Sequence, residues 1–409
     1  VRRGHLERQR LHGLMDAHAQ VRAETAARTS YGRLLALLAA RTHDVAAAED
    51  ALADAFERAL TRWPLDGVPA DPDAWLLTVA RNRQRDRWRS AAERTSVLFD
   101  EAVHDSPAPG AVPDRRLQLL LVCAHPDLAD ASVPLMLNTV LGFTAERIGA
   151  AFLIPTATMA ARLTRAKKRI ARDRIPFAVP ENGRLAERLS PVLEAVYGSY
   201  AIEWPTPPRE RHALLLGLGG TIAAAAPSVA EAHGLTALMY LSSARLPARV
   251  DEDGKYVPLP QQDPGRWDRD LIAAGHRHLR AAHALGTVGR FQLEAAIGAV
   301  HCARRPGEPP DWANLRSLYD SLVALAPTRG AAVARAAVVA EIDGARAGLA
   351  ELDAVDGTER LQAAWALRAH LLQRAGDPSA EAAYDKAVSL TTDPAERDHL
   401  RRRARGVGP

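Results

Sequence analysis

Hydrophobic positions along the chain recur mostly at three- and four-residue spacing, which predicts an all-helical protein. The clearest case runs from Phe143 to Arg174. Thr144, followed by Glu146, reads as the cap of a helix whose apolar face holds Ile148, Phe152 and Leu153. Ile154-Pro155 breaks it. Thr156 reads as the cap of a second helix, in which Met159, Leu163, Ala166 and Ile170 share one face, while Thr158, Arg162, Arg165, Arg169 and Arg172 share another. One face packs and the other is cationic. Two short helices around a tight turn predict a helix-turn-helix, whose second helix offers small polar residues for base edges and Lys/Arg for phosphates. A solvated basic helix has the same composition, so the preceding capped helix carries the weight.

Upstream, Leu34, Leu35, Leu37 and Leu38 predict a short buried helix within 31–40. Asp44 caps a longer one with Val45, Ala48, Leu52, Ala55, Phe56, Ala59 and Trp63 as its buried stripe, ended by Pro64. Its other side carries Glu49, Asp50, Asp54 and Glu57. This strip can dock on a basic partner or simply face solvent. Asp71-Pro72 opens the next helix, with Trp75, Leu76, Val79 and Ala80 at core positions. Beyond them Arg81, Arg85 and Arg89 share one face and Arg83 and Arg87 roughly the opposite one. Such a helix can touch two partners, or one partner and its own acidic residues. Trp88 among the arginines suits stacking on unpaired bases, or serves equally as the lid of a small core.

Residues 96–115, rich in Pro, Ala, Gly and Asp, break the period and read as a mobile linker. Helices over 116–128 and 132–140 support the helix-turn-helix. After Pro180 the basic clusters give way to Ala/Leu-rich helices over 185–200, 209–226, 230–244, 267–285, 290–302, 312–326 and 331–342. Asp253-Gly254, between short apolar runs, predicts a small hairpin. Leu361 to Leu390 has the small residues, Tyr384 and the Gly376-Asp-Pro378 break of a tetratricopeptide-like helical pair.

Composition narrows the function. The formal net charge of +4 is too mild to indicate nucleic acid by itself, so the clustering of arginines before residue 180 is what matters. Two distant cysteines, Cys123 and Cys302, give neither a disulfide framework nor a metal motif, and predict a reducing compartment. The uncharged stretch 213–230 contains Gly217, Gly219, Gly220 and Pro227 and reads as a core helix rather than a membrane span. No signal-peptide pattern opens the sequence, and neither a cofactor nor a metal is expected.

The segments 48–56 (AEDALADAF) and 74–83 (AWLLTVARNR), with Asp86 and Arg87, resemble region 2 of extracytoplasmic-function sigma factors, and 143–170 resembles their region 4. Cys123-Ala-His-Pro126, Phe152-Leu-Ile-Pro155, Ala157-Thr-Met-Ala160, Ile175-Pro-Phe177 and the stretch 238–267 are similar to the subgroup with a long tetratricopeptide-like C-terminal extension. The resemblance implies a region 2 domain over 1–95, a linker over 96–115, a region 4 domain over 116–180 and a helical extension with a small hairpin over 181–409. It implies a cytoplasmic, dissociable subunit of RNA polymerase with no chemistry of its own and no membrane contact. Asp50, Asp54 and Phe56 would bind the polymerase core. Trp75, Arg81, Asn82, Arg85, Arg87, Trp88 and Arg89 would hold the open −10 strand. Thr156, Thr158, Arg162, Arg165, Lys168 and Arg169 would read the −35 duplex. The extension would receive a protein or small-molecule regulator. The chain departs from the family pattern at Ala53, Arg115, Ala124 and the segment Tyr197–Tyr200. A second reading is a sigma-like scaffold turned enzyme or small-molecule binder, its pocket drawn from Tyr200, Glu203, Trp204, Tyr240, Arg245, Asp263 and Trp267. Against it, no nucleophile-base pair, metal spacing or phosphate loop is present.

Overall fold

A computed structural model describes residues 17–95, 114–180, 184–203 and 209–406, and among them every regular element is helical. The predicted linker lies, apart from Asp114 and Arg115, outside the described residues. The helices fall into two compact units, one reaching Glu203 and including 209–218, the other starting at Gly219. The division therefore comes within a helix, well past the composition change at Pro180.

The first unit begins with α1 (17–29), α2 (Tyr31–Thr42), α3 (Val45–Asp66) and α4 (Pro72–Thr95). Asp44 caps α3 by accepting from Ala47 N at 2.9 Å, and Val45, Ala48, Leu52, Ala55, Ala59 and Trp63 are buried as their spacing requires. Phe56 is only half-buried. Pro64 does not end the helix. It sits in the last turn, where the missing N–H sacrifices one bond, and termination waits for Gly67, whose φ of 87° suits glycine and whose N–H returns to Trp63 O.

Next come α5 (Arg116–Cys123), a 3₁₀ segment (Pro126–Ala131), α6 (Ser132–Thr139), α7 (Ala145–Phe152), α8 (Thr156–Arg172) and α9 (Arg184–Glu203). Here α5 packs on α2, α8 on α3, and α9 on α5 and α6, so the helices flanking the undescribed stretch share one core. Gly32 lets α2 approach the end of α6 closely: a β-carbon there would fall 2.2 Å from Val140 O. No described helix is long and apolar enough to cross a membrane. The bent pair formed by α5 and the segment up to Thr139 passes by composition alone, yet turns by 96° and buries Leu119, Leu120, Leu121 and Met136.

The second unit is built on α11 (Ala230–Ser243), which packs on α12 (Arg269–Ala284) and α13 (Arg290–Cys302), after α10 (Arg209–Ala225) leads in from the first. Small residues let these helices close together: a β-carbon on Gly234 would meet Gln292 N at 2.8 Å, and one on Gly275 would meet Leu241 Cγ at 2.6 Å. Glu231 of α11 accepts from Phe291 N and Gln292 N, capping α13 from a neighbouring helix where Gly289 has no side chain to do so. Helices α14 (Trp312–Leu325), α15 (Arg329–Asp343), α16 (Ala345–Asp353), α17 (Gln362–Ala375), α18 (Ala380–Leu390) and α19 (Pro394–Ala404) then stack in sequence. The α17/α18 pair turns at Gly376 (φ 70°), with Tyr384 buried and its hydroxyl donating to Gln373 Oε1 at 2.9 Å.

The hairpin expected at Asp253-Gly254 is reduced to a single antiparallel bridge, Val250 to Tyr256. Asp251 shapes the loop by accepting from the backbone N–H of Asp253 and Lys255, and both flanks are drawn toward α19 instead of extending a ladder. Arg249 donates to Asp393 Oδ2 (3.1 Å) and Glu396 Oε1 (2.9 Å), and the Tyr256 ring meets that of His399. Asp393 is 6% exposed at its side chain and also caps α19. Arg249→Ala leaves that carboxylate buried beside Glu396 without its cation and is expected to cost about 2–4 kcal/mol. Urea unfolding checks this, and a loss under about 0.5 kcal/mol contradicts it.

His301 gives the second unit a defined acid sensitivity. Burial, followed by the charges of Arg245 and Arg304, lowers its pKa from the ordinary 6.5 to about 4. Between those values the unfolded chain binds a proton that the folded chain refuses, so stability falls as pH drops through that window. From pH 7.5 to 5 the loss is about 2 kcal/mol, and His301→Gln should abolish that part of it. Urea titrations of both proteins at the two pH values test the sign.

Candidate nucleic-acid interface

Asp71 starts α4 by accepting from Ala74 N at 3.0 Å, and Leu76, Leu77, Ala80 and Gln84 form its buried side. Trp75 is half-buried, edge-on to Trp63 at 5.6 Å, and contributes to this core. The next turns divide the arginines. Arg87 donates to Asp50 at 3.0 Å and Arg83 to Asp54, so the acidic strip of α3 is covered from within. Both pairs are about half exposed, worth at most about 1 kcal/mol each, and open readily to a competing partner. Arg85 donates to Asn82 Oδ1 one turn back. Asn82, Arg85 and Arg89 stay exposed, Arg81 and Trp88 half-buried. The outer face is therefore cationic with an aromatic edge, as stacking and phosphate contacts on a single strand require.

In α7, Thr144 caps through Arg147 N at 3.3 Å and Ile148 is buried. The expected apolar face stops there. Phe152 is exposed, and Leu153, 86% exposed, takes a left-handed conformation (φ 55°) to end the helix. Ile154 N closes the turn on Gly149 O at 2.9 Å. Gly149 is what this turn needs, since a β-carbon there would sit 2.7 Å from Ile154 O, and only its place four residues before the turn hints at this in the sequence. Thr156 does not cap α8. Pro155 occupies the cap position, its carbonyl receiving Met159 N at 3.0 Å, and Thr156 becomes the first helical residue, exposed.

Met159, Leu163, Ala166 and Ile170 are buried, as spaced. On the other side Thr156, Thr158, Arg165, Lys168 and Arg169 are exposed. Arg162 is not on the open face: half-buried, it leans toward Asp130 O at 3.5 Å. Arg169 and Arg172 are drawn to Asp173, whose carboxyl they hold below its usual range, Arg172 foremost. Arg165 and Lys168 have no ion-pair partner among the described residues, which leaves them as the cations best placed for phosphates.

A sequence profile for sigma-70 region 2 matches residues 27–94, the end of α1 through α4. Residues 27–94 are thus a sigma-70 region 2 domain, which supports a sigma-factor family. Residues 188–283 match a family of unknown function, DUF6596. An uncharacterized protein of Rhizobium meliloti (strain 1021), R00370, is 33% identical over 375 residues, spanning 87% of this chain and 88% of its own. No solved structure matches. The sigma-70 region 2 match covers every residue of the cationic α4 face and the acidic strip that pairs with it.

The residues of the pocket reading are divided. Tyr200, against the ring of His212, and Glu203, the last residue of α9, lie in the first unit; Trp204 is outside the described residues. In the second unit Tyr240 meets the ring of His278, while Asp263 accepts from Gly265 N. Trp267, 3% exposed, donates to Gln262 Oε1 beneath the Arg304 guanidinium, and Arg245 is half-buried. No group of three or more His, Cys, Asp or Glu suited to a metal ion occurs among the described residues.

Proposed function

We propose that this chain is an extracytoplasmic-function type of sigma subunit, which binds core RNA polymerase and directs it to promoters in the cytoplasm. The observation that carries this is the division of the α4 arginines within the region matched by sigma-70 region 2. Arg83 and Arg87 are held by α3, while Asn82, Arg85 and Arg89 remain outward with Trp88 at their edge. In this role α4 holds the unpaired −10 strand, where each stacked base contributes about 1–3 kcal/mol toward melting. Asp50 and Asp54, with Phe56, exchange their arginines for the polymerase. The start of α8 enters the −35 major groove through Thr156 and Thr158, with Arg165, Lys168 and Arg169 on phosphates and Arg162 at the edge. The stacked helices of the second unit offer the surface for a regulatory partner. Gel filtration of the purified chain with bacterial core polymerase tests the first step: co-elution is expected, and separate elution at micromolar concentration overturns the role.

A further inference from the structure

Three arginines of the second unit lie together without a carboxylate to balance them. Cys302, at the end of α13, donates through Sγ to Leu241 O, four residues before Arg245, so the ends of α11 and α13 meet. Asp268 N donates to Ala244 O at 2.9 Å, which brings the backbone before Arg269 against the backbone before Arg245. Arg304, just after α13, donates to Pro260 O at 3.0 Å and to Gln262 O at 2.7 Å, and its guanidinium lies over the Trp267 ring, 5.3 Å from the centroid. One short segment therefore positions both Arg269 and Arg304. The charges act across the cluster: burial raises the Cys302 thiol while Arg245 and Arg269 pull it down, and burial, Arg245 and Arg304 together lower His301.

Among the described residues Arg269 and Arg304 donate only to carbonyl oxygens, and Arg245 has neither a hydrogen-bond nor an ion-pair partner. The carboxylates of the neighbourhood are engaged elsewhere. Asp263 accepts from Gly265 N, Asp268 caps α12 through Asp270 N and Leu271 N, and Glu294 takes Arg290 at 2.8 Å. Burial, and then the like charge of Arg245, hold Arg304 below its ordinary range. Such a cluster is unfavourable until an anion enters it.

We propose that Arg245, Arg269 and Arg304 form a binding site for the phosphoryl group of a phosphomonoester. A phosphoryl group carries about −1.5 to −2 charge near pH 7 and three acceptor oxygens, one for each guanidinium, whereas a carboxylate offers one charge and two oxygens. Arg304 is already oriented by its two carbonyls and the Trp267 face, so it has little side-chain freedom left to lose on binding. Arg245 and Arg304 are half-buried and Trp267 is 3% exposed, which sets the charge among the helix ends and suits a compact anion rather than an extended polyanion. The site gives the regulatory surface of the proposed function a defined chemistry, but it is built within the second unit alone and stands without that role.

Calorimetric titration of the full chain with inorganic phosphate, with acetate as the contrast, tests the site, and imidazole NMR of His301 localises it. Phosphate should bind at least about tenfold more tightly than acetate, and its charge beside His301 should raise that pKa from about 4. Arg245→Gln should weaken phosphate binding at least about tenfold and Arg245→Lys less, while Arg346→Gln, at an exposed arginine of α16, should leave it unchanged. Urea unfolding of Arg245→Gln should match or exceed wild type, because the fold gives Arg245 no partner; a clear loss of stability assigns it a structural role and overturns the site. Glucose 6-phosphate and a phosphoserine tetrapeptide then separate a metabolite from a protein as carrier of the group, the tighter of the two naming it. Equal binding of phosphate and acetate, full binding by Arg245→Gln, or an unmoved His301 each overturns the site. Binding of inorganic phosphate but of neither ester overturns the phosphomonoester. Binding of the esters by a chain that never associates with core polymerase leaves the site standing and removes the sigma role.

Discussion

Alanine at both Arg85 and Trp88 is expected to reduce promoter opening by about a hundredfold while leaving the closed complex nearly intact. Arg85 is exposed on the outer face of α4, tethered to Asn82 within its own helix, and Trp88 lies half-buried along the same edge. A stacked base contributes about 1–3 kcal/mol, so losing one aromatic platform and one adjacent guanidinium accounts for a factor of this size. Arg85 is exposed, and the Asp50 and Asp54 pairs are made by Arg87 and Arg83, so the acidic strip of α3 should survive the double substitution, with circular dichroism checking that helix content does too. Permanganate reactivity of unpaired thymines, with filter binding of the same complexes, separates the two steps. Undiminished reactivity in the double variant would show that α4 does not hold the open strand.

The second large effect belongs to α8. Arg165→Ala with Lys168→Ala should weaken binding of a −35 duplex about ten- to a hundredfold near physiological salt and make log K less steep in log salt by about two units. Both side chains are exposed and free of ion pairs among the described residues, so stability should change by less than about 0.5 kcal/mol. Arg162→Ala provides the contrast. Because Arg162 leans on Asp130 O, its loss should barely alter the salt slope. Duplex titrations at several salt concentrations read all three, and a larger slope change from Arg162 than from Arg165 and Lys168 would reverse the assignment of the face.

Local rules carried the helices well and the pairings poorly. The buried side of α8 followed from spacing, and the caps Asp44, Asp71 and Thr144 from residue type, because both depend on neighbours within one turn. Pro155 displaced Thr156 from its cap because the carbonyl of the proline already stood in the right place. Arg162 lies at the correct helical angle for the open face, but the 3₁₀ segment ending at Ala131 approaches it there, which no periodicity in α8 reveals. The acidic strip left two readings open, docking or solvation, and its partners Arg83 and Arg87 come from the next helix. Lys167 pairs with Glu49 across 118 residues. Such long-range charge pairs leave no mark in a single sequence, since each residue taken alone looks like ordinary helix surface. The Asp-Gly turn was legible at 253–254, but Arg249 and Tyr256 meet α19 far along the chain, and that contact limits the ladder to one bridge.

The most direct measurement of the central claim is open-complex formation by the purified chain with core polymerase on promoters selected by that mixture from a random pool. The account predicts that the pool converges on two conserved elements, that opening requires this chain, and that Arg85/Trp88 and Arg165/Lys168 variants fail at opening and at duplex capture respectively. If the wild-type chain neither associates with core polymerase nor opens any selected sequence, the sigma-subunit role is contradicted.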